Sequence, residues 1–97
     1  MSNITTAMKR RIKREMGEEK PTIWVGKNQV SPKLLEEIGR QLDDREIVKI
    51  KILKSAIREG KASELASMVA KQTNAILIEV RGHTFVLYKR RQRGLNR

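Results

Sequence analysis

Two different apolar periods alternate along this chain, and this alternation constrains its fold more than any other feature. In residues 33–43 the apolar side chains share one arc of about 100° on a helix, and they are Leu34, Leu35, Ile38 and Leu42. In the next segment, "EIVKIKIL" at 46–53, every second side chain is apolar, which is typical of a strand with one buried face. The chain therefore moves from helix to strand over a short distance.

The same two periods assign the rest of the chain. Helical spacing predicts two more helices, over residues 4–16 and about 60–73. Strand signals mark 22–25, 75–80 and 84–89. Arg81, Gly82 and His83 separate the last two strands, as in a tight hairpin whose glycine takes a positive φ.

The resulting order is α-β-α-β-α-β-β. Strands joined through helices usually pair in parallel, and the closing hairpin adds one antiparallel strand. We therefore expect a single domain over 1–97 with an α/β fold: a two-layer sandwich of a four-stranded mixed sheet and helices on one face. The expected core is Leu34, Leu35, Ile38, Leu42, Val48, Ile50, Ile52, Leu65, Val69, Ile76, Ile78, Val86 and Tyr88.

Net charge indicates the partner. The chain carries 22 Lys and Arg against 11 Asp and Glu, a net charge of +11. Both ends are the most basic parts, since the last nine residues hold five cations and no carboxylate. A polyanion is the natural partner of such a chain, and nucleic acid is the commonest one. The candidate contacts are Lys9, Arg10, Lys13 and Arg14 on the first helix, and Lys89, Arg90, Arg91 and Arg93 in or beside a tail over about 90–97.

Catalytic and membrane functions are not expected. The chain has no cysteine and one histidine, His83, which falls in the predicted hairpin turn. The carboxylate pairs Glu36–Glu37 and Asp43–Asp44 are adjacent, and adjacent side chains diverge by about 100° on a helix. No apolar run approaches the roughly 20 residues of a membrane span. We therefore expect a cytoplasmic protein that is not an enzyme and has no metal, cofactor, small-molecule substrate or membrane partner.

A second candidate site is the segment "VGKNQ" between the first strand and the second helix. Ser31 is a suitable N-cap, and Pro32 fits the first helical position. Gly26 would let a ligand approach the backbone, and Lys27, Asn28 and Gln29 precede a helix start that favours anions. Two interpretations stay open on spacing alone: a loop that grips a phosphodiester, and an ordinary strand-to-helix turn with an exposed lysine.

The segments "WVGKNQVSPKLLEEI", "EIVKIKIL" and "NAILIEVRGHTFVLYKR" with the basic tail resemble the CRM domain (chloroplast RNA splicing and ribosome maturation), a family that includes the stand-alone YhbY-like proteins. The resemblance covers nearly the whole chain. It implies a fold related to the carboxyl-terminal domain of translation initiation factor three, and it implies RNA binding. Bacterial stand-alone members associate with precursors of the large ribosomal subunit, and plant multi-domain members serve group II intron splicing.

The family loop follows a G-x-x-G pattern, like the phosphate-clamping loop of KH domains. Gly26 matches the first glycine, Lys27 and Asn28 fill the middle, and Gln29 stands in place of the second glycine. The resemblance therefore predicts a non-enzymatic protein that binds structured RNA, in particular ribosomal precursor RNA during large-subunit maturation. The alternatives are a basic DNA-binding or nucleoid protein, and a protein–protein adaptor that associates with ribosomes.

Overall fold

A computed structural model of the chain describes residues 5–26, 30–53 and 62–90. Within these ranges the backbone forms three helices and four strands in the predicted order, which confirms the α/β class. The helices are α1 (Thr6–Met16), α2 (Pro32–Arg45) and α3 (Ala62–Gln72), and the strands are β1 (Ile23–Val25), β2 (Ile47–Ile52), β3 (Ile76–Arg81) and β4 (Thr84–Tyr88). No helix in these described ranges is both long enough and apolar enough to cross a membrane.

The four strands form one mixed sheet in the order β1-β2-β4-β3. β1 pairs with β2 in parallel, whereas β4 is antiparallel to both β2 and β3. A mixed sheet of this kind was predicted from the crossovers and the final hairpin. β4, the last strand of the described residues, therefore lies inside the sheet, and the short strand β1 lies at one edge.

The main core lies between the sheet and the pair α2 and α3. Alternation along β2 directs Val48, Ile50 and Ile52 to this face, where each is almost completely buried. Ile38 and Leu42 of α2 are fully buried against them. Leu34, Leu35 and Leu65, which the helical spacing also assigns to the core, are half-buried at its margin.

Helix α1 lies on the opposite face of the sheet, which corrects the expectation that all helices share one face. Its Ile12 is 1% exposed and belongs to a second cluster with Ile78, Val86 and Tyr88. Met8, Met16, Ile47 and Ile76 pack around that cluster. The sheet with α2 and α3 forms the predicted two layers, and α1 covers part of the other face.

Burial on both faces also explains why β4 has more core residues than predicted. Phe85 and Leu87 point toward α2 and α3, whereas Val86 and Tyr88 point toward α1. All four are at most 5% exposed. The alternating pattern predicts burial of Val86 and Tyr88 but not of Phe85 and Leu87. A continuous apolar run does not show by its period that both faces of the strand are buried.

Local signals in the sequence are confirmed at the start of α2 and at the turn between β3 and β4. The Ser31 hydroxyl accepts a hydrogen bond from the Leu34 N–H at 3.1 Å, and Pro32 follows at the first helical position. Gly82 has a φ of +59° in the turn between β3 and β4. Asn74 has a φ of 60° after α3, where a residue with a short polar side chain tolerates the left-handed conformation.

Candidate nucleic-acid interface

The segment that contains Gly26 is held at both of its ends. Before it, the Leu53 N–H donates to the Val25 carbonyl at 2.9 Å, which continues the pairing of β1 and β2. After it, the Ser31 cap begins α2. Lys27, Asn28 and Gln29 lie outside the described residues, so their predicted phosphate contacts stay predictions.

Gly26 is not required by the fold around it. Among the described residues, a Cβ at this position would meet only the Leu53 Cδ1 atom, at 3.7 Å, which is an ordinary van der Waals contact. Gly26 is also not among the described residues with positive φ. The packing of the described residues therefore gives no reason for a glycine, and the prediction that it allows close approach of a ligand stays open.

The basic residues of α1 lie on the helix surface that faces away from the sheet or at its margins. Ile12 faces the sheet, whereas Arg10, Lys13 and Arg14 are exposed and Lys9 is half-buried. The neighbouring Arg11 is 3.7 Å from Glu15, one turn along the same helix. Three of the four predicted cations are therefore exposed and Lys9 is half-buried. Their contact with RNA stays a prediction.

Lys49 of β2 fixes the carboxyl end of α1. Its Nζ atom donates hydrogen bonds to the carbonyls of Met16 at 2.7 Å and Glu19 at 2.9 Å. The last carbonyls of a helix lack partners within the helix and carry the negative end of its dipole, so an ammonium group is well suited to this position. One of the strand's outward lysines therefore has a structural role.

A cleft lies between the end of α1 and the sheet. Three cations line it, Lys13, Lys49 and Arg81, together with the carboxylate of Glu79. Arg81 Nε is 3.5 Å from Glu79 Oε2. The net positive charge of this lining suits an anionic ligand. Six of the cations predicted at the two ends lie in the described residues, and of these six only Lys13 lines the cleft together with cations from the sheet.

Lys89 and Arg90 lie at the other end of β4. The Lys89 N–H donates to the Glu46 carbonyl at 2.9 Å, and its Nζ atom is 4.0 Å from Asp43 Oδ1. Arg90 is exposed, and Arg91 and Arg93 lie outside the described residues. Tyr88 pairs with Ile47, whereas Val25, the residue before Gly26, pairs with Ile52. The end of β4 is therefore about 17 Å from the end of β1, measured along the strand direction.

Sequence reasoning did not identify a row of residues that crosses the sheet beside the cleft. Trp24 is paired with Lys51, Lys51 with Thr84, and Thr84 with Arg81. Paired residues point to the same face of a sheet, and this is the face that α1 covers elsewhere. Strand alternation predicts that Lys51 points away from the main core. The strand register that places Lys51 beside Trp24 and Thr84 depends on pairing between distant segments, which local patterns do not show.

A solved structure shares this α/β fold. The solution structure of the hypothetical protein SAV1595 from Staphylococcus aureus matches with a TM-score of 0.72 and 25% sequence identity. The match covers 98% of this chain and 95% of that one.

A model of the CRS1 / YhbY (CRM) domain matches residues 4–89, and the chain therefore belongs to the CRM domain family, as its sequence resemblance predicts. A protein of Methanocaldococcus jannaschii named as a probable RNA-binding protein is 34% identical over 92% of this chain, which spans 66% of that relative's length. YqeI of Bacillus subtilis, also named as a probable RNA-binding protein, is 28% identical over 89% of this chain and 88% of its own. An RNA-binding protein of Haemophilus influenzae is 28% identical over 92% of this chain and 88% of its own.

Proposed function

We propose that this protein is a non-enzymatic RNA-binding domain that binds structured ribosomal precursor RNA during maturation of the large ribosomal subunit. The names of three relatives carry the proposal most directly, since two are named as probable RNA-binding proteins and one as an RNA-binding protein. A net charge of +11 supports a polyanionic partner. The ribosomal target is what the resemblance to stand-alone family members implies.

The cleft beside α1 supports contact with phosphates. Lys13 is exposed on α1, and its neighbours Lys49 and Arg81 come from the sheet. Lys13 and Arg81 can contact phosphates and release counterions, whereas Lys49 already donates to main-chain carbonyls and adds only positive potential. The affinity for RNA should therefore fall as salt increases. Such contacts carry little information about base sequence. Recognition would then depend on RNA shape and on where phosphates lie.

A matched pair of substitutions tests this proposal. Lys13→Gln should weaken binding of a large-subunit precursor RNA fragment and reduce the slope of log affinity against log salt by about one unit. Lys71→Gln removes the same charge from an exposed site on α3, on the other side of the sheet, and should leave both quantities unchanged. Equal effects of the two substitutions would mean that binding follows net charge and not this face.

Two further measurements separate the alternatives. Competition between the RNA fragment and duplex DNA at equal salt tests the DNA-binding alternative, which predicts that DNA competes at least as well as RNA. Ribosome association before and after nuclease treatment tests the adaptor alternative, which predicts that association survives removal of accessible RNA. Crosslinking in cells with sequencing of the bound RNA would then identify the target.

A further inference from the structure

Trp24 is exposed although the other aromatic side chains are buried. The chain has one Trp, one Phe and one Tyr. Phe85 is 0% exposed and Tyr88 is 5% exposed, whereas Trp24 is 53% exposed. Its neighbours Ile23 and Val25 are buried against α2 and α3, so alternation directs the indole to the opposite face. The only indole of the protein is therefore available to a partner.

The surroundings of Trp24 are basic. Across the sheet, the row that begins at Trp24 continues through Lys51, Thr84 and Arg81. Lys51 is exposed, and the side chain of Arg81 is 77% exposed. The row crosses four strands, so Trp24 and Arg81 at its two ends are three strand spacings apart, about 14 Å. Thr84 and Arg81 of this row also line the cleft, together with Lys13 and Lys49.

Helix α1 leaves this row uncovered. Its apolar side chains Met8, Ile12 and Met16 pack against the cluster around Ile78 and Tyr88. The bonds from Lys49 to the carbonyls of Met16 and Glu19 hold the end of the helix beside β2, one pleat away from Lys51. Within the part of the chain that the structure describes, the sheet therefore has an open strip that combines one aromatic ring with cations.

We propose that this strip binds a single-stranded segment of RNA, with one unpaired base stacked on the indole of Trp24 and its neighbouring phosphates near Lys51 and the Arg81 end of the row. Aromatic faces accept any base, and flanking cations follow the backbone. An apolar protein partner would not need these cations, so the charge favours nucleic acid. One exposed ring accommodates one base, which agrees with the low aromatic content of the chain.

This inference rests on the proposed RNA-binding function and makes it more specific. Bases inside a duplex are stacked on one another and are not free to stack on a side chain, whereas unpaired bases in loops, bulges and ends are. The target would therefore be an RNA that presents an unpaired nucleotide beside the phosphates held by the cleft. Loss of that nucleotide should weaken binding even if the surrounding helices are unchanged.

Because the chain has a single tryptophan, the fluorescence of Trp24 reports directly on stacking. The full chain is titrated with a single-stranded RNA of about 12 nucleotides, and affinity is measured independently by anisotropy of a labelled RNA. We expect quenching of Trp24 that saturates together with binding. The same RNA annealed to its complement should leave the fluorescence of Trp24 nearly unchanged.

Substitutions at Trp24 test the energetic contribution. Trp24→Ala should lower the affinity for the single-stranded RNA about 5- to 150-fold. Trp24→Phe keeps an aromatic face and should retain most of the affinity, whereas Trp24→Leu keeps apolar surface without it and should resemble Trp24→Ala. Met68→Ala is the matched control, because Met68 is also an exposed apolar side chain, 39% exposed, but lies on α3.

The outcomes separate the two proposals. If no RNA binds the wild-type protein, the proposed function is wrong. If RNA binds but a folded Trp24→Ala variant has wild-type affinity, or if Trp24 fluorescence does not respond, only the stacking proposal is overturned. A Trp24→Ala variant that changes self-association in sedimentation without changing RNA affinity would identify this strip as a protein contact instead.

Discussion

Replacement of Ile12 by alanine tests whether α1 packs on the sheet as a structural element. Ile12 is 1% exposed and contacts the cluster of Ile78, Val86 and Tyr88. Truncation of a buried isoleucine to alanine costs about 2–5 kcal/mol, because apolar contacts are lost and a cavity remains. The substitution therefore probes the second face of the sheet separately from the main core.

The expected magnitude lies in the lower half of that range. Met8 and Met16 pack against the same cluster, and flexible methionine side chains can fill part of a cavity. Alanine also regains a few tenths of a kcal/mol in helix propensity. We expect the free energy of unfolding to fall by about 2–3 kcal/mol, which corresponds to a decrease in melting temperature of about 8–24 °C for a domain of this size.

Urea denaturation and thermal melts followed by far-UV circular dichroism measure the effect. Ile12→Val is the graded variant and should cost about 0.5–1.5 kcal/mol. Arg11→Ala is the control on the adjacent position, where the side chain is 64% exposed, and it should stay within about 0.5 kcal/mol of wild type. If Ile12→Ala were no more destabilising than Arg11→Ala, the packing of α1 on this face would be refuted.

Three other predictions concern the basic residues. Lys49→Met keeps the aliphatic stem but removes the bonds to the Met16 and Glu19 carbonyls, and it should lower the free energy of unfolding by about 1 kcal/mol; an unchanged urea midpoint would contradict the capping role. Lys27→Ala should weaken binding of matched and mismatched RNA alike, with a salt slope smaller by about one unit, and its melting temperature should not change. Deletion of residues 90–97 should reduce RNA affinity and flatten its salt dependence, and equal titrations of the two chains would show that the tail does not contact RNA.

Elements of this fold are predictable from the sequence where their determinants are local. The Ser31–Pro32 start of α2 follows from capping chemistry, and the Gly82 turn follows from the need for positive φ. Ile38 and Leu42 share a helical arc and are both fully buried. In each of these cases, residues a few positions apart in the chain determine the structure.

The parts that could not be predicted depend on distant segments. The apolar stripe of α1 shows that the helix packs on something, but it does not show which face of the sheet is available. The position of β4 between β2 and β3 likewise follows from how the whole chain is arranged, so burial of Phe85 and Leu87 was missed. Trp24 and Arg81 lie at opposite ends of a row across all four strands, and only the register brings them into one site.

The edge position of β1 has a consequence for how stability is distributed. This strand has three residues and, among the described strands, pairs only with β2, so it should open at lower free energy than the interior of the sheet. Native-state hydrogen exchange should therefore be faster for the amides of β1 than for those of β4. Trp24 lies on β1, and Gly26 is the first residue after this strand. A ligand bound by either residue would therefore stabilise the pairing of β1 with β2 and slow hydrogen exchange selectively at β1.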